Sequence, residues 1–260
     1  MTLGVITATR GQSGHLAAAV ASVAALGAGV GHVLVCPADA ADALREKFPG
    51  CTIRPETGGG LYAALNIGLA SLGDAGLFTW INDDDVLCPA GLATARALLA
   101  ADPALGVVYG RVGLMDAAGA RLGELPVAHR PGDLAALLAA GIMPLAQPGT
   151  LVRREVAARV GPFDPGYRLA GDLDFLVRAL VAGVRFGFAN AEVARFRLHA
   201  GQLSKDEAVA SREHARAIAR LPAGAAGLAG ARFRWDNLPV YVERVRRHGF
   251  VRMSTLYRHG

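Results

Sequence analysis

The sequence predicts an α/β protein whose mainly parallel sheet is flanked by helices and followed by a helical C-terminal appendage. Three observations carry this prediction. Short apolar runs alternate with helix-spaced segments through most of the chain, the pattern of βαβ units. One of those runs, Leu77–Ile81, ends in Asn82 and three consecutive aspartates, Asp83, Asp84 and Asp85. Charge is also unevenly placed. Residues 1–204 hold 16 basic and 17 acidic side chains, while residues 205–260 hold 11 and 5, a local excess of +6. The expected division is therefore a first domain over 1–204 and a basic, mainly helical extension over 205–260.

Composition narrows the class. A chain of 260 residues with 52% hydrophobic and 19% charged side chains can bury a large core and is not a disordered polymer. Cys36, Cys51 and Cys88 are too few and too scattered for a disulfide framework or a zinc site, which points to a reducing compartment. The N-terminal "MTLGVITATR" lacks the basic leader and apolar core of a signal peptide. Leu16–Cys36 has no charged residue but is mostly Ala and Gly, so a helix, a glycine turn and a strand explain it better than a membrane span. A soluble, cytoplasmic protein is expected. The tail's aromatics (Phe233, Trp235, Tyr241, Phe250, Tyr257) are too irregular for a nucleic-acid stacking platform.

In chain order, Leu3–Thr9 reads as a strand, "RGQSGH" as a glycine-bearing loop and His15–Leu26 as an Ala-rich helix stopped by Gly27 and Gly29. Val33–Cys36 is a strand broken by Pro37, Asp39–Phe48 a surface helix and Cys51–Arg54 a third strand. Gly58, Gly59 and Gly60 then permit a tight turn or a close ligand approach. Leu61–Leu72 follows with helical spacing at Leu61, Leu65, Leu69 and Leu72, interrupted by the polar Asn66. No G-x-G-x-x-G pattern follows the first strand, which disfavours a dinucleotide-binding dehydrogenase. After the aspartates come a helix (Ala90–Ala101), a strand (Gly106–Tyr109) and a hairpin turning at Asp116–Gly119. Next are a helix (Gly132–Ala140), a strand (Gln147–Val152), a short helix (Arg154–Val160) and a longer one (Asp172–Ala182). A final strand runs through Phe196 into a polar loop with His199, Gln202 and Ser204. In the tail, Lys205–Leu221 is a helix, "AGAAGLAGA" a flexible break and Asn237–His248 a second helix.

Three adjacent carboxylates repel one another, and a divalent cation removes that problem. Hard oxygen ligands suit Mg²⁺ or Mn²⁺. A solvated acidic turn is the competing reading. Asp172 has two readings as well, because an acid in a first helical turn also serves as a cap.

Four blocks in order resemble the family-2 glycosyltransferases of the GT-A fold, which build bacterial surface polysaccharides. They are "VITATR", "GGGLYAALNIGL", "WINDDDVL", and "QPGTLVRREVAARVGPFDPGYRLAGDLDFLVR" leading to "FRLHAGQLS". The resemblance covers residues 3–204 and implies an inverting, metal-dependent transfer of a sugar from a nucleotide-diphosphate donor to a hydroxyl acceptor. It implies that Asp83 and Asp85 hold Mn²⁺ or Mg²⁺ on the donor diphosphate, with Asp84 between them at the donor and His199 near metal or diphosphate. Asp172 corresponds to the general base, with Asp174 its helical neighbour. Thr7, Thr9 and Arg10 correspond to the strand end lining the nucleotide, and Gly60, Tyr62 and Asn66 to the block that closes over the donor.

Three positions depart from that pattern. Cys36 and Pro37 stand where an acid usually meets the base, Gly58 replaces an acid before the "GLY" block, and Ala63 replaces another after it. The donor therefore need not be a uridine nucleotide, and Asp39 or Asp42 is left for the base contact. A sugar-nucleotide nucleotidyltransferase and a non-catalytic nucleotide-binding relative are the alternatives. The acceptor expected is a saccharide or a lipid-linked one. For the basic tail, a peripheral contact with the inner membrane face and a packing or homodimer contact both stay open.

Overall fold

A computed structural model of the chain describes residues 1–199, 206–223 and 226–248. The strands are β1 (Leu3–Ala8), β2 (Val30–Pro37), β3 (Thr52–Glu56), β4 (Leu77–Trp80), β5 (Val86–Leu87), β6 (Leu105–Met115), β7 (Arg121–Glu124), β8 (Leu151–Arg153) and β9 (Arg185–Arg197). They form a single sheet in the order β3-β2-β1-β4-β8-β6-β9-β5, with β7 paired to β6. Neighbours from β3 to β4 are parallel, β8 enters antiparallel between β4 and β6, and β6 and β9 are parallel again. The chain leaves β1 towards β2 and β3, then returns to lay β4 on the other side of β1. Strand order thus reverses between β1 and β4. In open α/β sheets ligands bind outside the carboxyl ends of the strands at such a reversal.

The helices are α1 (Leu16–Ala24), α2 (Ala41–Lys47), α3 (Leu61–Ala70), α4 (Pro89–Ala101), α5 (Leu134–Ala139), α6 (Arg154–Val160), α7 (Gly171–Val181), α8 (Glu207–Ile218), α9 (Gly227–Asp236) and α10 (Leu238–His248). None is long and apolar enough to cross a membrane. Strand side chains alternate between faces. Ile6, Phe78 and Trp80 therefore enter one core with α3, α5, α6 and α7, while Leu3, Val5, Leu77 and Ile81 enter the other with α1 and α4. β4 is buried along its whole length, as its unbroken apolar run implies. Beneath it, Trp80 lies 4.8 Å from Phe163 and Phe163 4.9 Å from Phe175, ring centre to ring centre.

Two sequence expectations need correction. The stretch read as a flexible break becomes α9 from Gly227 onward, because Ala229, Gly230 and Phe233 are buried against the body. Its small residues serve close packing rather than freedom of motion. The strand expected over Gln147–Val152 is confined to Leu151–Arg153. Gln147 instead turns its amide onto the Trp80 carbonyl, with Nε2 donating at 2.5 Å. The predicted loop residues Gln202, Ser204 and Lys205 lie outside the described residues.

The tail is not separate from the core. Ala217 on α8, Leu221 just past its end, and Ala229 and Phe233 on α9 join the α3–α7 cluster. Asn237, fully buried, fastens the α9–α10 corner to the segment after β7. Its Oδ1 accepts from the Val127 N–H at 2.9 Å, and its Nδ2 donates to the Val127 carbonyl at 2.9 Å and the Phe233 carbonyl at 2.8 Å. Asn237→Ala would strand these buried backbone groups. We expect urea unfolding to show a loss of about 2–3 kcal/mol with an unchanged m-value. A loss within experimental error would show that water replaces the amide at no cost.

Candidate active site

The site grows from the carboxyl ends of β1 and β4. Thr9, just past β1, is 7% exposed; its hydroxyl donates to Asp83 Oδ2 at 2.5 Å and accepts from the Gly11 N–H at 3.0 Å. Ser13 donates to the Asp83 carbonyl at 3.3 Å. The loop that begins at Thr9 is thus tied to the acidic turn across the strand reversal.

The three aspartates have three different environments. Asp85 is fully buried. Its Oδ1 accepts the Arg197 backbone N–H at 2.8 Å and its Oδ2 the Asn82 amide at 3.1 Å. Asp84 faces the other way, with Oδ2 2.9 Å from His199 Nε2 and a buried Oδ1 that has no hydrogen-bond partner among the described residues. Asp83 keeps one oxygen beyond the Thr9 bond. Burial, followed by the nearby Asp84 charge, raises the Asp83 carboxyl, and the Thr9 hydroxyl opposes that rise. In this geometry Asp85 secures the turn, and the orphaned oxygen belongs to Asp84.

Among the described residues no group of three or more His, Cys, Asp or Glu side chains closes around a common point. Mg²⁺-type ions take one or two carboxylates together with substrate phosphates instead of an all-protein cage. The unpartnered Asp84 oxygen fits such an ion. Two residues that sequence reasoning passed over complete this side. His15, ahead of α1, has its ring 5.3 Å from that of His199. Arg197 donates through Nε to the Asp84 carbonyl at 2.7 Å and through Nη1 to the carbonyls of Asp116 and Ala117 at 3.2 and 3.0 Å. Sequence spacing could not reveal these contacts, because they join segments far apart in the chain.

Two residues expected to touch the donor do something else. Thr7 is fully buried, with its hydroxyl 3.0 Å from His32 Nε2 inside the sheet. Both ends of the Asn66 amide are committed to Phe163, Nδ2 donating to its carbonyl at 2.8 Å and Oδ1 accepting its N–H at 2.9 Å. Asn66 clasps the loop before α7. Arg10 is exposed at the rim. At the end of β2, burial raises the Cys36 thiol, with the charges of Glu56 and Asp39 adding to the effect and Arg45 opposing it. Asp42 is paired to Arg45 at 2.5 Å on the open surface. Of the two acids considered for the base contact, Asp39 is the one near Cys36, and Glu56 joins it there.

The opposite lip is formed by α3 and α7. Gly58, Gly59 and Gly60 all have positive φ, a run that only glycine adopts without strain. Glu56 Oε2 accepts the Gly58 N–H at 2.6 Å. Gly60 delivers the chain into α3 so that Tyr62 is buried and its hydroxyl donates to Asp172 Oδ1 at 3.2 Å. A Cβ on Gly171 would meet the Tyr62 ring at 2.7 Å, so only glycine fits between the ring and α7. Asp172 Oδ1 also accepts the Leu173 N–H at 2.8 Å. No described group donates to its Oδ2. Burial raises the Asp172 carboxyl; the Leu173 N–H, the Tyr62 hydroxyl and the charge of His214 on α8 oppose it. Asp174, two residues on, is fully buried and paired with Arg178 at 2.7 Å and Arg220 at 3.2 Å.

No family model matches the chain, and no curated protein sequence matches it. Among solved structures it is similar to S. aureus TarS. With residues 1–349 of TarS in complex with UDP-GlcNAc, the TM-score is 0.64 at 15% identity, over 99% of this chain and 78% of that one. With the same fragment in complex with UDP, it is 0.59 at 14% identity, over 98% and 76%. Against the longer TarS structure the chain spans 98% of its own length and 45% of the other, with a TM-score of 0.63. At this identity the likeness shows the fold, the GT-A architecture implied by the four sequence blocks.

Burial holds the Asp85 carboxyl well above the ordinary range, the Asp84 charge adds to this, and the Arg197 N–H and Asn82 amide oppose it. The folded chain thus keeps this proton to a higher pH than the unfolded chain does. The resulting stabilisation is fully present below the unfolded-state value and is lost as pH rises through the folded-state one. Asp85→Asn can accept from Arg197 and donate to a reoriented Asn82 without titrating. With EDTA present, urea midpoints from pH 5 to 8 should move in favour of Asp85→Asn as pH rises. A wild-type-to-variant difference that stays constant over that range would refute a titrating Asp85.

Proposed function

We propose that the chain is a glycosyltransferase that moves a hexosyl unit from a nucleotide-diphosphate donor to an acceptor hydroxyl, with inversion at the anomeric carbon. The observation that carries this reading is Asp172. One of its oxygens is fixed by Tyr62 and the Leu173 N–H, the other has no donor among the described residues, and the carboxyl proton is held above the ordinary range. A base oriented on one oxygen and open on the other is arranged to take a proton from an incoming hydroxyl. The similarity to structures holding UDP-GlcNAc and UDP supports a nucleotide-sugar donor.

In this reading the acceptor oxygen attacks the anomeric carbon as its proton passes to Asp172 Oδ2, and the nucleoside diphosphate departs with the bonding pair. One base and no protein nucleophile gives a single displacement. Asp84, with Asp83 and His199 beside it, would hold Mn²⁺ or Mg²⁺, which supplies Lewis-acid neutralisation of charge on the departing diphosphate. Thr9 and Ser13 keep the Asp83 turn in place. Arg10 at the rim and the Gly60 loop flank the donor, and Asp39 and Glu56 stand nearest the position where an acid usually meets the base.

Nucleotide sugars, UDP-GlcNAc first, should be screened for release of the nucleoside diphosphate with Mn²⁺ or Mg²⁺ and with EDTA. We expect cation-dependent release from at least one donor. Asp172→Asn, which keeps size and an oxygen for the Tyr62 hydroxyl and the Leu173 N–H, should lower turnover by about 10² or more while leaving donor affinity unchanged. Wild-type turnover in that variant, or pyrophosphate release from a nucleoside triphosphate and a sugar phosphate, would refute the assignment.

The acceptor side involves the tail. On α9 and α10, Leu228 is 69% exposed, Trp235 76%, Leu238 49% and Val242 41%, with Arg234 and Arg246 exposed among them. The acids of this stretch are engaged, Asp236 with Arg130 and Glu243 with Arg247. An apolar stripe edged by arginine suits the anionic, cytoplasmic face of a membrane, where a lipid-linked acceptor would be presented. Vesicles containing phosphatidylserine should co-sediment the protein at low salt, and Trp235→Ser with Leu238→Ser should weaken this several-fold. A stable dimer dissolved by the same substitutions, with no vesicle binding, would overturn the membrane assignment.

A further inference from the structure

The segment that carries Asp172 has no regular structure of its own. Residues 164–170 run between α6 and α7, and the backbone N–H groups of Arg168, Leu169 and Ala170 find no backbone acceptor among the described residues. They converge instead on one side chain of α8. Glu213 Oε1 accepts from Arg168 at 2.8 Å, and Oε2 accepts from Leu169 at 2.7 Å and Ala170 at 2.9 Å. Successive N–H groups pointing into one concavity form an anion-binding nest, here occupied by the protein's own carboxylate. The Glu213 carboxyl is held below its ordinary range: burial raises it, but the three N–H groups and the Arg216 charge outweigh that.

The rest of α8 follows the same track. Arg216 donates to Asp164 at 3.0 Å and lies 4.2 Å from the centre of the Tyr167 ring, and Arg220, just past the end of the helix, reaches Asp174 at 3.2 Å. Ala170, the last residue of the nest, is fully buried and immediately precedes Gly171, which is wedged against the Tyr62 ring. The Tyr62 hydroxyl then meets Asp172. A displacement of residues 168–170 is therefore passed through Gly171 to the one oxygen by which Asp172 is oriented.

We infer that Glu213 is a positioning residue for Asp172, and that α8 is in this way part of the catalytic unit. The inference rests on the reading of Asp172 as the base. Its consequence is kinetic, because a base displaced by about 1 Å can cost about 10²-fold in rate while the donor site is untouched.

The test uses the 260-residue chain and four single variants, Glu213→Ala, Glu213→Gln, Asp172→Asn and Arg220→Ala, together with the double variant Glu213→Ala/Asp172→Asn. Hydrogen–deuterium exchange should rise at residues 168–171 in Glu213→Ala and stay unchanged at residues 3–85. Turnover, read as UDP release from UDP-GlcNAc, should fall at least tenfold in Glu213→Ala with UDP affinity unchanged. Glu213→Gln, which keeps the length and one acceptor oxygen, should recover part of the loss. In the Asp172→Asn background the Glu213→Ala change should have little further effect, since both act through one group. Arg220→Ala, which breaks the ion pair from the segment after α8 to Asp174 of α7 without touching the nest, controls for general loosening and should keep most of the turnover. Losses that multiply in the double variant, or an equal loss in Arg220→Ala, would overturn the inference. Wild-type turnover in Glu213→Ala beside an impaired Asp172→Asn would overturn the inference and leave the base standing. Wild-type turnover in Asp172→Asn would remove the base reading itself.

Discussion

The structure depends on one buried carboxyl group. Asp85 is fully enclosed at the end of β4, and a polar group without water is costly unless hydrogen bonds replace it. Its principal partner, the Arg197 N–H, comes from a strand 112 residues later. Arg197 then spends its guanidinium on the carbonyls of Asp84, Asp116 and Ala117. The acidic turn, the end of β9 and the β6–β7 hairpin are thereby one object. Solving the problem of Asp85 also fixes how Asp83 and Asp84 are displayed. A turn free to relax would let the like charges move apart; this one holds them in place, with one oxygen of Asp84 unsatisfied.

The other lip follows the same logic with different chemistry. Asp172 and Asp174 differ by two positions on one helix, and their environments separate their roles. Asp174 is enclosed and neutralised by two arginines. Asp172 has a phenol and an N–H on one oxygen and nothing described on the other. The first is a strut, and the second has the open oxygen that the proposed base requires. Behind them, the Trp80–Phe163–Phe175 stack and the Asn66 clasp on Phe163 hold α3, α7 and β4 at fixed separations. The two lips therefore share a floor.

How far the sequence revealed this varies with the range of the interaction. The strands were legible because alternation and apolar runs are local, and the Asp83–Asp85 run because three adjacent charges demand a reason. Tyr62 and Asp172 were legible through the order of the sequence blocks. Direction was not. Thr7 and Thr9 share one face of β1, yet β2 covers the first with His32 while the second lies past the strand end, next to Asp83. Asn66 looked like a polar interruption of a helix, and only the fold shows Phe163 across from it. Glu213, Arg197 and His15 gave no signal at all, because each is significant only through a partner brought near by folding.

The tail shows how net charge misleads when folding is ignored. Counted along the sequence, residues 205–260 carry a surplus of +6 beside a nearly neutral body, which suggests a detached basic segment awaiting an anionic partner. Several of those charges are paired across the boundary between tail and body. Arg216 meets Asp164, Arg220 meets Asp174 and Arg232 meets Asp133, so acids of the first 204 residues are neutralised by arginines of the last 56. The near-neutral count of the body concealed this, because those acids were balanced on paper by arginines elsewhere on its surface. Body and tail are electrostatically complementary, and α8 is held in register along the segment that carries Asp172. Among the described residues, Arg234 and Arg246 stay exposed near Trp235 and Leu238, where apolar exposure and positive charge coincide. The inner pairs tie the tail to the body, and the outer arginines are the part of the proposed membrane surface that an anionic lipid would read.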